Sequence, residues 1–435
     1  MRTTAWLAFI VLLFSLSSPL DAEDILGCTT FVVAVASHAW MYEARSGIRE
    51  LMSLKNAIWL GLLIYALPIY ILSATTDITL LLAMSPESLS GAARISFVSI
   101  AVTGVAVEFL RSWGMSLHRH ALRQIASESS DRQYYAAAIL VVIYGGNYLS
   151  TGVLNLVSSG DRFAITQAFE TGKMWFIQYL MTGVTIAFIY QNFQRSTLRG
   201  ANYYIGLISV FLFWALYVSL GNRRGILTVV FAASVCFVAR SSNGKRVAVW
   251  LLLIFLIGGA IGVLRQNIAD ASPDQFFLLG VSNFFGEFIY PGFTLVHTVE
   301  LDMPASFDFT WVTMLYDFIS AQLQGVPFGF LAHRFAVEVA PSGADIMGFA
   351  YLPITEAYLN FGVIAASASG VALLVTVLLL AWICKNRAWV YLILLSLALD
   401  MNRSEFAAMV FQFLIVIGGF LLTTKIGFEK WCASQ

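Results

Sequence analysis

Apolar runs of about 13 to 22 residues recur along nearly the whole chain, separated by short charged loops. A bilayer core about 30 Å thick needs about 20 apolar helical residues to cross it, and only a helix or a closed barrel satisfies its backbone there. Twelve such runs are read: 3–20, 25–42, 57–73, 94–110, 134–151, 174–191, 202–220, 225–239, 247–263, 362–383, 388–400 and 406–424. The expected fold is therefore an all-α polytopic membrane protein of about twelve transmembrane helices. Composition agrees, since 59% of the 435 residues are apolar and 11% charged, against about one quarter charged in a soluble protein.

Charge placement sets the orientation. With the N-terminus inside, 17 of the 25 basic residues fall in cytoplasmic segments, as the positive-inside bias requires. Nineteen of the 25 acidic residues fall on the other side, and both termini are expected in the cytoplasm. The start, Arg2 then Ala5 to Leu20, reads either as a first helix or as a cleaved signal peptide. Cys28, Cys236, Cys384 and Cys432 lack metal-ligand spacing and read as structural thiols. The cancelling charges give no case for a nucleic-acid partner, and none is expected.

One loop breaks the symmetry of this pattern. Residues 264 to about 348 carry a concentration of Asp, Glu, His and Arg found nowhere else, so they read as an extracytoplasmic subdomain of about 85 residues. The chain then divides into a bundle over 1–263, a loop subdomain with a juxtamembrane helix over 264–361, and C-terminal spans over 362–435. Within the loop, Asp274 to Tyr290 and Phe307 to Leu323 read as short aromatic helices on the membrane surface, closed by Pro291 and Gly325. Phe349 to Cys384 is too long for one span, about 54 Å as a helix, so its first part stands outside the core. Pro353 suits a first helical turn there and Gly362 a break.

Several constellations have the chemistry for a site. Glu356 and Asn360 share a helix face, where a carboxylate beside a carboxamide suits a sugar hydroxyl; the alternative is that Glu356 caps a helix start. Arg223 and Arg224 occupy an outward turn, where paired guanidiniums suit a pyrophosphate or snorkel to headgroups. Arg265, Arg334 and Arg403 flank the same aqueous face and together suggest an anion-binding mouth. His333, beside Arg334, is the loop's general-base candidate by its intrinsic pKa, or a structural histidine. Tyr290 and Tyr358 belong to an aromatic-rich stretch that suits sugar stacking or an interfacial belt. No HExxH, Walker loop or GxSxG is present, which argues against a zinc protease, an ATPase and a serine hydrolase.

The long late loop followed by Glu356-Ala357-Tyr358-Leu359-Asn360-Phe361-Gly362 resembles the Wzy-type O-antigen polymerases, the oligosaccharide repeat-unit polymerases. The resemblance covers the architecture of the chain; at the residue level it rests on that motif and, loosely, on the Arg223-Arg224 turn. It implies a glycosyltransferase C-like membrane enzyme of the bacterial inner membrane, with no metal and no cofactor. Its substrate would be glycan carried on undecaprenyl pyrophosphate at the periplasmic face, among membrane lipids, with a chain-length regulator as a candidate partner. Arg223, Arg224, Arg265 and Arg334 would then hold the pyrophosphate, and Glu356 or His333 would activate the acceptor. Asn360, Tyr358 and Tyr290 would contact glycan. An O-antigen ligase shares this plan, and a twelve-helix transporter or flippase is the rival from another class; charges inside the spans would favour the transporter.

Overall fold

A computed structural model describes residues 2–15, 19–46, 52–75, 85–124, 132–150, 175–192, 200–219, 224–240, 288–301, 316, 319–320, 351–404 and 406–423. Regular structure among these is entirely helical. The helices are α1 Arg2–Ser15, α2 Ala22–Ser46, α3 Leu54–Ala66, α4 Pro68–Thr75, α5 Pro86–Phe109, α6 Arg111–Gln124, α7 Arg132–Ser150, α8 Trp175–Asn192, α9 Ala201–Ser219 and α10 Arg224–Arg240. They continue with α11 over 288–300, α12 Pro353–Ile383, α13 Ala388–Leu397 and α14 Phe406–Thr423.

Helices coincide with eleven of the twelve apolar runs, and the run 247–263 lies outside the described residues. Five helices are long and apolar enough to cross a membrane: Ala22–Ala44, Leu54–Ser73, Pro86–Phe109, Ala201–Val218 and Pro353–Ile383. The protein is thus a multi-pass α-helical membrane protein. Large apolar side chains such as Phe211, Val142 and Ile364 are exposed, as lipid-facing positions should be.

The local sequence explains the helix ends. Ser85 accepts a hydrogen bond from the Ser88 amide at 3.2 Å, and Pro86 follows where no amide is needed, so α5 starts cleanly. Pro68 interrupts α3 and α4 without ending the rod, because Ile71 still donates to the Leu67 carbonyl at 3.2 Å. Pro353 opens α12, and Gly362 breaks it with φ 78° and ψ −167°, a conformation that only glycine adopts without strain. The 21 residues beyond the break rise about 32 Å, the thickness of a bilayer core.

The chain packs as two compact units, and the helices after the long loop are shared between them. The first comprises Met1–His118, Phe285–Ile383 and Ala398–Val410. There α5 is central, packed by α1, α3 and α12. Trp6 is buried edge-on against Trp59 with ring centroids 5.8 Å apart, over the open face of Gly104. The second unit comprises Arg119–Phe284, Cys384–Leu397 and Phe411–Gln435. Its core is aromatic, with Tyr144, Phe213, Trp214 and Tyr217 between α7, α8 and α9, and the Trp214 indole donates to Thr185 Oγ1 at 3.1 Å. Gly183 and Gly419 let α8 and α14 touch backbone to backbone, since a Cβ on either would fall on a facing carbonyl oxygen.

One expectation is corrected. Pro291 does not close a helix at Tyr290, because the described residues on both sides of it, 288–300, are helical. Within α11, Thr294, Leu295, Val296 and Thr298 are buried, and Gly292 admits Ile69 so closely that a Cβ would approach its methyl to 2.7 Å. The remainder of Asp274 to Tyr290, and nearly all of Phe307 to Leu323, lie outside the described residues.

Candidate functional site

The first unit assembles the only candidate site residues whose side chains are described. Because Pro353 starts α12, Glu356 and Asn360 fall one turn apart on its inward face, with 2% and 0% of their surfaces exposed. Asn360 Nδ2 donates to the Glu356 backbone carbonyl at 2.7 Å, which fixes the carboxamide along the helix. The carboxylate reaches elsewhere: Glu356 Oε2 accepts the Phe406 amide at 2.7 Å, at the first residue of α14. Glu356 therefore does cap a helix, though a different one from its own. An anionic group suits that position because the amides of a helix N-terminus carry partial positive charge. Tyr358, on another face, is half-buried.

The segment between α13 and α14 lies beside this carboxylate. The run read as a span over 388–400 is α-helical only to Leu397; Asp400–Asn402 form one 3-10 turn, and the chain then unwinds. Asn402 Nδ2 donates to the Ile58 carbonyl at 3.0 Å and to the Ala398 carbonyl at 2.9 Å. Gly61 makes room, since a Cβ there would stand 2.5 Å from Asn402 Nδ2. Ile58 and Gly61 belong to the span Leu54–Ser73, so this turn sits within the depth of that span rather than on the aqueous face expected for it. Next in sequence, the Arg403 guanidinium lies 5.7 Å from the Tyr65 ring centroid. Tyr65 in turn meets Phe288 of α11, with ring centroids 5.5 Å apart.

The other end of α11 is tied to α5. Glu300 Oε2 accepts the Ser85 hydroxyl at 2.6 Å and the Ser85 amide at 2.9 Å. These bonds hold the Glu300 carboxyl below its ordinary range. His297, one turn earlier and packed edge-on against Phe293 at 4.4 Å, is pushed down by burial, with Glu300 opposing. Tyr290, on the same helix, is exposed.

The remaining sequence candidates are not brought into this geometry. Arg223, Arg265, His333 and Arg334 lie outside the described residues; Arg224 begins α10, but its side chain is likewise not described. Among the described residues no group of three or more His, Cys, Asp or Glu could hold a metal ion.

Sequence reasoning missed a buried charge cluster at the other end of the first unit. Lys55 Nζ donates to Glu43 Oε1 at 2.6 Å and to Asn56 Oδ1 at 2.8 Å, Asn56 Nδ2 donates to Glu43 Oε2 at 2.5 Å, and Arg111 Nε stands 3.4 Å from Glu43 Oε1. Gly114 leaves space for the lysine stem. The signal was a lysine two residues before one apolar run, twelve residues after a glutamate that directly follows another. No protein-family model, no curated protein and no solved structure matches the chain.

Proposed function

We propose that the protein is an oligosaccharide repeat-unit polymerase, joining glycans carried on undecaprenyl pyrophosphate at the periplasmic face of a bacterial inner membrane. The observation that carries this reading is Glu356: a buried carboxylate braced by a helix N-terminus, on a half-helix that breaks at Gly362 just before a bilayer-length span. It stands in the motif on which the resemblance to the Wzy-type family rests.

In the reaction, Glu356 takes the proton of an acceptor sugar hydroxyl as that oxygen attacks the donor's anomeric carbon. The bond from that carbon to the lipid pyrophosphate breaks, and the pyrophosphate leaves with the electron pair. His333 is the rival base, and Arg223, Arg224, Arg265 and Arg334 are the candidates to neutralise the leaving group. Asn360, Tyr358 and Tyr290 are the candidate glycan contacts.

Buried charge in a span would favour a transporter. The Lys55–Glu43 pair, however, occupies the ends of the spans Leu54–Ser73 and Ala22–Ala44, not their middles. It therefore lends that reading no support.

The deciding experiment is the surface glycan of a deletion strain. A polymerase leaves single repeats on the lipid A core; long chains stranded on the lipid carrier mean a ligase instead. An unchanged glycan ladder would refute both.

A further inference from the structure

We propose that α11 is embedded in the bilayer with Tyr290 facing acyl chains, although its sequence lies in the segment read as an extracytoplasmic loop. The inference stands apart from the reaction proposed above. Helix α5 provides the ruler. Its 24 residues rise about 36 Å, about 6 Å more than a bilayer core. Ser96, ten residues in from Pro86, lies about 15 Å along it, and so about 9 Å inside the core even with all of the surplus standing outside.

Packing fixes α11 against that ruler at two levels. At the outer level Glu300 accepts the Ser85 hydroxyl and amide, and a Cβ on Gly91 would stand 3.4 Å from a Val299 methyl. At the inner level the Tyr70 hydroxyl shares a hydrogen bond of 2.8 Å with Ser96, and Gly292 packs on Ile69, the residue before Tyr70. Gly292 is eight residues from Glu300, a rise of about 12 Å, which matches the descent along α5 to within a turn. Helix α11 thus runs antiparallel to α5, from the rim at Glu300 into the core at Gly292. Phe288, one turn farther on, meets Tyr65, which is itself eight residues short of the span end at Ser73.

The chemistry of the segment fits that depth. Phe288 to Val299 carries no Asp, Glu, Lys or Arg. Thr294 and Thr298 are fully buried and return their hydroxyls to the helix, Thr294 Oγ1 donating to the Pro291 carbonyl at 2.7 Å and Thr298 Oγ1 to the Thr294 carbonyl at 2.6 Å. A hydroxyl is satisfied in this way where water is absent. His297 and Glu300 stay within about a turn of the rim. Tyr290 is 55% exposed, and its place between Phe288 and Gly292 sets it at the depth of Ile69, where the surroundings are lipid tails. Of the candidate glycan contacts, Tyr290 is then the one that touches lipid.

The test uses the full-length protein in nanodiscs with Tyr290→Cys or Leu301→Cys, read against wild type, whose four cysteines set the background. Both side chains are exposed, so neither substitution should shift the melting temperature. A charged maleimide should label Leu301→Cys, at the rim, about tenfold faster than Tyr290→Cys, because the reactive thiolate does not form in lipid. With bimane attached at Tyr290→Cys, lipids carrying a mid-chain nitroxide should quench its fluorescence more than aqueous iodide does, and at Leu301→Cys the order should reverse. Equal labelling rates, or bimane at Tyr290→Cys quenched mainly by iodide, would put α11 in water and overturn the proposal. Bimane there that neither agent quenches would refute the lipid contact.

Discussion

Replacing Glu356 separates its two roles, because glutamine keeps one of them. In Glu356→Gln the amide oxygen can still accept the Phe406 N–H now held at 2.7 Å by Oε2, so the loss of stability should stay under about 1 kcal/mol, the difference between a charged and a neutral acceptor. Glu356→Ala removes the acceptor altogether. It leaves the Phe406 amide without its carboxylate, at about 1–3 kcal/mol for an unmet donor, and removes an anion from the start of α14, at about 0.3–1 kcal/mol. Alanine should therefore melt clearly below glutamine, with a gap of about 1–3 kcal/mol between them by the same reckoning. Activity should respond differently. Neither variant can take a proton from the acceptor hydroxyl, and a lost general base costs about 100-fold to 10,000-fold in rate. Thermal melting in detergent measures the first effect, and the glycan ladder with membrane protein level controlled measures the second. A normal ladder from Glu356→Gln would eliminate Glu356 as the base and leave it a helix cap. Equal melting of the two variants would refute the cap.

Three other perturbations address the frame around the site. Lys55→Met should cost about 3 kcal/mol, because it leaves Glu43 in a buried site with only the neutral Asn56 amide and Arg111 beside it; adding Glu43→Gln should recover much of that, as melting of the single and double variants will show. Gly183→Ala should destabilise by about 1–3 kcal/mol by pushing α8 off α14, whereas Gly146→Ala, whose Cβ meets nothing within 4 Å, should be neutral or gain up to about 1 kcal/mol. Acid should loosen α11: His297 and Glu300 both have depressed pKa values when folded, so their contributions are complete above their ordinary values. The His297 part fades as pH falls below about 6.5, and the Glu300 part in the carboxylate range. Hydrogen exchange over 288–300 should rise on that schedule, and His297→Gln should remove the earlier step.

Much of the scaffold could be read from apolar periods alone, because a bilayer leaves the backbone few choices. The half-helix at Pro353 and the break at Gly362 were legible for the same kind of reason, since each residue has one conformational use there. Pro291 was not, because a proline after an apolar stretch ordinarily marks a helix end, and here the helix continues past it. Glu356 was visible as a candidate, but its bond to Phe406 spans 50 residues, and the bond from Asn402 to Ile58 spans 344. No local pattern encodes such pairings. The Glu43–Lys55 pair was nearer in sequence yet hidden too, since charges at span ends ordinarily face water.

The brevity of α13 bears on how the protein is made. Ten residues rise about 15 Å, half the thickness of a bilayer core, and the six that follow include Asp400, Asn402 and Arg403. The insertion machinery recognises a stretch of about 20 apolar residues, so α13 has too little length to be released into lipid by itself. Helices α10 and α8, already made when it emerges, pack against it. Docking on them rather than on lipid alone brings α13 into the bilayer, which makes Asn402 and Arg403 late arrivals, delivered to a helix α3 already in place.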